Sequence, residues 1–250
     1  MASAAREPHA PHLPAGAVKR ITREIAQLTR DADEMAKCGI FYAPSDSDIS
    51  RGYALIVGPE DTPYFGGAFF FSVHFPDTYP MVPPIVKSLT QDGETRFNPN
   101  LYCCGKVCLS ILNTWQGDQW SPSLTVRAVL TSIQALVLHK NPLTNEPAYE
   151  TSNPAVLSSP KYQKYNAVVS TATFKTAILH VLEDSQTFGA PLSLLASYLA
   201  FLLPLRDKLL KHYSVLRDEY YAHAGLKEDV YGRTCLPQFD KWLTRLRAIL

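Results

Sequence analysis

GYALIVGPEDTPYFGGAFFFSVHFPDTYPMVPPIVKSL, residues 52–89, contains three apolar or aromatic runs broken by glycine and proline. GYALIVG (52–58), GAFFFSVHF (67–75) and PPIVKSL (83–89) have the length and residue types of strands. The breaks carry Pro59, Pro63, Gly66, Gly67, Pro76 and Pro80. So few residues separate the runs that no crossover helix fits, which makes successive strands antiparallel. GIFYAP (39–44) supplies a further strand ahead of them, giving a four-stranded meander. Upstream again, Val18, Ile21, Ile25 and Leu28 share one face, with Lys19, Arg20, Arg23 and Glu24 elsewhere, predicting a helix from Ala17 to about Asp33. Downstream, residues 90–121 show little periodicity. Ser121 and Pro122 then read as the N-cap and first position of a helix bearing Val126, Leu130, Ile133 and Val137 on one face. Further helices are expected over 161–184, 191–203, 205–222 and 237–249, with Phe174, Ile178, Val181 and Leu182 suited to a buried face, as are Leu199, Leu202, Leu203, Leu243, Leu246 and Leu250. The fold class is α+β.

The 250 residues fit one domain with an extension, against a prior of roughly 100–200 residues per domain. A formal net charge of +1 provides no global attraction to nucleic acid or to an anionic membrane. The most apolar stretch, 191–204, falls short of the roughly 20 residues that span a bilayer. The opening residues MASAAREPHAPHLP lack the apolar segment of a secretory signal and read as a disordered tail. Five cysteines, an odd number, fit reduced thiols in the cytoplasm or nucleus.

The irregular segment 90–121 holds Cys103, Cys104 and Cys108 and two of the three tryptophans, Trp115 and Trp120. A structureless stretch of that length in a compact domain is either functional or disordered. Cys108 reads as core filler, metal ligand, disulfide partner or nucleophile. Gly105 favours a sharp turn or close backbone approach just ahead of it. Asn100, eight residues upstream, carries an amide able to brace a loop carbonyl or an oxyanion. Cys104 and Cys108 have a zinc-like spacing, but no second pair follows, so no metal is expected. No phosphate-cradling or dinucleotide motif is present, and no cofactor is expected.

FNPNLYCCGKVCLSIL (97–112) and the block 58–84 resemble the ubiquitin-conjugating enzymes, as do WSP (120–122) and NEP (145–147), in order and spacing from about Ala17 to Tyr165. The resemblance implies the family's α+β fold over 17–169, preceded by a tail, 1–16, and followed by a helical extension, 170–250. It implies that Cys108 accepts ubiquitin or a ubiquitin-like modifier from an activating enzyme as a thioester, then passes it to a lysine or a ligase. Asn100 takes the place of the loop-bracing asparagine, Glu146 of the acidic residue that orients the incoming amine, and Ser110 of the gate. Lys19, Arg20 and Arg23 match the face that docks the activating enzyme, with a solvated helix surface as the alternative. Pro80, Met81, Ser121 and Pro122 match the ligase-binding loops, the last two also reading as a plain helix cap. Asn98 replaces the histidine of the family's His-Pro-Asn motif, with Pro99 retained. TWQGDQW (114–120) belongs to an insertion of four residues that is similar to the Z-type branch, as are KYNAVVSTATFKTAILHVLED (164–184) and FDKWLTRL (239–246). The competing expectation is a catalytically silent variant that only presents a partner.

Overall fold

The computed structural model describes residues 13–184, 188–222 and 238–250. The four runs form strands β1 (Ile40–Pro44), β2 (Arg51–Val57), β3 (Ala68–His74) and β4 (Ile85–Ser88), antiparallel and in sequence order. Ile40 lies opposite Ile56, Leu55 opposite Phe70 and Val73 opposite Val86. Helices α1 (Ala15–Arg30) and α2 (Ala32–Lys37) precede the sheet. After it come α3 (Val126–Leu136), α4 (Pro154–Leu157) and α5 (Pro160–Ala172). A π-helical stretch, Thr173–His180, carries α5 directly into α6 (Val181–Glu183). The remaining helices are α7 (Leu192–Leu202), α8 (Arg206–Ala222) and α9 (Phe239–Ile249). α1 opens at Ala15, within the expected tail, and Leu13 already joins the core. Residues 1–12 of that tail lie outside the described residues.

Both faces of the sheet are covered, and the strand sequence records it. Residues alternate in direction along a strand, so a sheet with one wet face shows apolar and polar residues in turn. β3 instead begins Ala-Phe-Phe-Phe. Phe69, Phe71 and Val73, with Ala54 and Ile56, point into a core shared with Ile21 and Leu28 of α1, Val129 and Ile133 of α3 and Tyr165 and Val169 of α5. Ala68 and Phe70, with Leu55 and Val57, point into a second core, built with Phe174, Ile178, Tyr198, Leu202, Tyr213, Trp242 and Leu246. The extension is therefore the cover of the sheet's other face. Buried tyrosines fasten it: Tyr198 donates from its hydroxyl to the Gly66 carbonyl at 2.7 Å, and Tyr213 to the Phe65 carbonyl at 2.9 Å. Gly67 is required at this junction, because a Cβ there would lie 2.6 Å from the Thr173 methyl.

Three sequence expectations need correction. Ser121 and Pro122 do not cap the third helix; they lie in an exposed turn, with the Leu124 N–H donating to the Ser121 carbonyl. The helix starts at Val126, where the Thr125 hydroxyl accepts from the Ala128 N–H. Glu24 is not on the solvent side of α1 but buried, since its carboxylate accepts the Val126 N–H at 2.8 Å, Arg20 Nε at 2.6 Å and the Tyr79 hydroxyl. Leu203, expected in the buried stripe of the extension, is exposed, because the inward face of α7 is Leu194, Tyr198 and Leu202.

Candidate active site

Segment 90–121 contains no strand or α-helix, and its shape comes from turns pinned to the body. Gly105 adopts φ +87° and sits so close to β4 that a Cβ would meet the Ser88 carbonyl at 2.9 Å, so both uses of glycine anticipated ahead of Cys108 apply at once. The Gly105 carbonyl in turn accepts the Ser88 N–H. This fixes the approach of the chain to Cys108 on the edge of the sheet.

Asn100 and Cys108 clasp each other. The Cys108 N–H donates to the Asn100 carbonyl at 2.9 Å, and Asn100 Nδ2 donates to the Cys108 carbonyl at 2.9 Å. Asn98, in the histidine position, is wholly buried and uses its full amide capacity. Its Oδ1 accepts the Asn100 N–H at 2.7 Å and Asn145 Nδ2 at 3.1 Å. Its Nδ2 donates to the Val137 carbonyl at 2.8 Å and to the Tyr64 hydroxyl at 3.2 Å. The Tyr64 hydroxyl in turn donates to the Phe97 carbonyl at 2.8 Å. Asn98 thus ties Asn100, Asn145, Val137 and Tyr64 together. Pro99 is buried between the two asparagines, its carbonyl accepting from Arg96.

Cys108 itself is buried. Burial pushes its thiol above the usual cysteine value; the positive charges of Lys106 and Arg96 oppose that shift and Cys104 adds to it. Arg96 lies 4.2 Å and Lys106 5.7 Å from the centre of the Tyr102 ring, a cation–π arrangement that holds both charges beside the loop. Beyond Cys108, the Thr114 hydroxyl accepts the Leu109 N–H at 2.9 Å and donates to the Val107 carbonyl, locking the residues on both sides of the cysteine. The insertion then folds back: Gly117, at φ +123°, backs onto the half-buried Ser110, 3.1 Å from its Cβ to a built Cβ.

The other expected residues separate into groups. Glu146 is half-buried and directly follows Asn145, which joins it to the Asn98 network through the backbone. Trp120 Nε1 donates to the Pro80 carbonyl at 2.7 Å, bringing the Pro80–Met81 loop against the exposed Ser121 and Pro122. Met81 is strongly exposed, at 72 % of its full surface. Lys19 and Arg23 are exposed on α1, but Arg20 turns inward, to Glu24 and to the Leu124 carbonyl at 2.6 Å. Cys103 and Cys104 are exposed free thiols, and no cluster of three or more metal-type ligands exists among the described residues. Among those residues, no helix is long and apolar enough to cross a membrane. Asn145 and His139 were not singled out from the sequence. Asn145 had a signal, as the polar residue before Glu146 within NEP and inside a proline-bounded loop, where site residues concentrate; His139 had none.

Residues 20–173 match the family model described as ubiquitin-conjugating enzyme. The chain is 42 % identical over 167 residues to ubiquitin-conjugating enzyme E2 Z of Xenopus tropicalis, covering 66 % of this chain and 50 % of the relative. It is 41 % identical over 239 residues to the Danio rerio protein of that name, covering 93 % and 67 %. The Homo sapiens protein is 36 % identical over 213 residues, covering 82 % and 58 %. The chain thus spans between half and two thirds of the length of these relatives.

Proposed function

Because the chain belongs to the ubiquitin-conjugating enzyme family, we propose that Cys108 carries ubiquitin or a ubiquitin-like modifier as a thioester and hands it to a substrate lysine or to a ligase. In the first step the Cys108 thiolate attacks the modifier's C-terminal thioester carbon on an activating enzyme. A carbon–sulfur bond forms at Cys108, the bond to the donor sulfur breaks, and the donor thiolate is reprotonated from solvent. Exchange between thiols of similar energy needs little acid–base help. In the second step a neutral lysine amine attacks that carbon, the nitrogen–carbon bond forms, and Cys108 leaves as thiolate. The amine sheds its extra proton to Glu146 or to water. A free lysine is almost wholly protonated at neutral pH, so Glu146 serves to position it and take up its proton.

The reciprocal hydrogen bonds between Asn100 and Cys108 carry this reading. They support the bracing role of Asn100. One of its two amide hydrogens is held by the Cys108 carbonyl, which leaves the second for the oxyanion. Activating-enzyme docking on exposed Lys19 and Arg23, with Arg20 as internal support, and ligase docking on Pro80, Met81, Ser121 and Pro122 complete the proposal. The test is charging with ubiquitin and a panel of ubiquitin-like modifiers, each with its own activating enzyme, resolved with and without reducing agent. We expect a reducible adduct in the wild type and in Cys103→Ser and Cys104→Ser, and its loss in Cys108→Ser. Asn100→Ala is expected to slow discharge to free lysine by about a hundredfold, in the range for one lost oxyanion donor. A full thioester on the Cys108→Ser protein would refute the assignment.

A further inference from the structure

Asn145 links the Asn98–Asn100 network to Glu146. Its Nδ2 donates to Asn98 Oδ1 at 3.1 Å and to the Leu136 carbonyl at 2.8 Å. Its Oδ1 lies 3.1 Å from His139 Nε2. His139 Nδ1 accepts the Asn141 N–H at 3.4 Å, so the ring proton belongs on Nε2 and is donated to Asn145. Burial lowers the His139 pKa, which keeps the ring in that neutral, singly donating form. Every polar atom of the Asn145 amide then has a partner of the right sign, and so does every one of Asn98. Full pairing at Asn98 and Asn145 fixes their geometry more firmly than the separate bonds would, while the buried Oδ1 of Asn100 has no partner among the described residues.

Two paths leave Asn145. Through Asn98 Oδ1, which also accepts the Asn100 N–H, it reaches the amide that clasps the Cys108 carbonyl. Through one peptide bond it reaches Glu146, whose N–H donates to the Leu143 carbonyl. We infer that Asn145, oriented by His139, is a positioning residue that sets Asn100 and Glu146 in register with each other across the Cys108 thioester. This rests on the thioester-transfer reading above and assigns the residues that make its second step work. Thioester exchange uses the Cys108 sulfur alone as nucleophile. Amine attack needs the oxyanion brace and the amine acceptor correctly spaced at the same moment, so loss of register falls on aminolysis.

The experiment uses the full chain, charged at Cys108 with whichever panel modifier loads the wild type, and follows single-turnover discharge against L-lysine concentration. Three variants are compared: Asn145→Asp, which removes the donor facing Asn98; His139→Phe, which keeps a ring without its N–H; and His139→Gln, whose side-chain amide can still donate to Asn145. Asn145→Asp and His139→Phe are expected to lower the saturating discharge rate about tenfold or more, as a small misplacement at a reacting centre does. Charging rates and the half-saturating lysine concentration are expected to stay within about twofold of wild type, the signature of an interaction expressed only in the transition state. His139→Gln restores discharge. Wild-type discharge in both disruptive variants overturns the inference, and so does an equal fall in charging and discharge, or a change confined to half-saturation. If either disruptive variant does not fold, the other together with His139→Gln decides. Absence of any Cys108 adduct on the wild type, with every modifier, overturns the thioester reading itself and the positioning role with it.

Discussion

The Cys108 thiol, the proposed nucleophile, is under two opposed influences, and their balance has a sign. Only the thiolate reacts, and burial holds the proton on the sulfur while Lys106 and Arg96 pull the other way. The net shift is upward, so reactivity is low at neutral pH and climbs as pH rises through the alkaline range. Site-resolved alkylation by iodoacetamide is expected to show a Cys108 midpoint above that of a free cysteine peptide. Lys106→Ala, which removes a favourable charge from an exposed side chain, is expected to move the midpoint higher still. A midpoint below the peptide's would contradict the assigned balance. The glycine turn and the eight-residue spacing made Cys108 and Asn100 candidates, and the family resemblance alone supplied their proposed roles. Asn145 entered only as part of the NEP match and His139 was passed over, since the bond that ties Asn145 to Asn98 spans 47 residues of chain and His139 acts only through Asn145, which no periodicity records.

Among the elements, α3 shows where local reading stops. Ser121-Pro122 has the chemistry of a helix start, yet the helix begins at Val126, where the Thr125 hydroxyl is the cap and a carboxylate 102 residues earlier accepts the first N–H. Glu24 accepts three donors in a buried setting, which is what makes a buried charge tolerable. Glu24→Ala strands the Val126 N–H, the Tyr79 hydroxyl and the half-buried Arg20, and is expected to cost about 3 kcal/mol in urea unfolding. A loss below about 0.5 kcal/mol, the level of an ordinary surface change, would show that the cluster contributes no net stability. The strands, by contrast, were placed nearly to the residue, because glycine and proline mark their ends. The π-helical stretch was invisible beforehand. Its outward residues, Lys175 and His180, are five apart, and everything from Val168 to Phe174 before them is buried. That pattern reads as one long apolar helix until the second core is known.

For the whole molecule, the unexpected feature is the use of both sheet faces. The unbroken Ala-Phe-Phe-Phe of β3 was the sequence signal for it, though it served only to identify a strand. The apolar stripes of the extension were legible as helix faces, but the surface they cover was not. Removing residues 170–250 uncovers Leu55, Val57 and Phe70 together and takes Ala172 and Ala177 from the first core. Contiguous apolar surface of that kind does not stay in water unpartnered. The truncated chain is therefore expected to bind a hydrophobic dye and to elute as aggregates in size-exclusion chromatography. A soluble, monodisperse truncation that still charges would show that the first core closes by itself and that the extension serves selectivity or nothing. One uninterrupted helical rod, residues 160–183, has Tyr165 and Val169 in one core and Phe174 and Ile178 in the other. A shared rod couples the melting of one core to the other, so heat is expected to meet a single cooperative unit whose calorimetric and van't Hoff enthalpies coincide. Two separate calorimetric transitions would show that the half bearing Cys108 melts by itself.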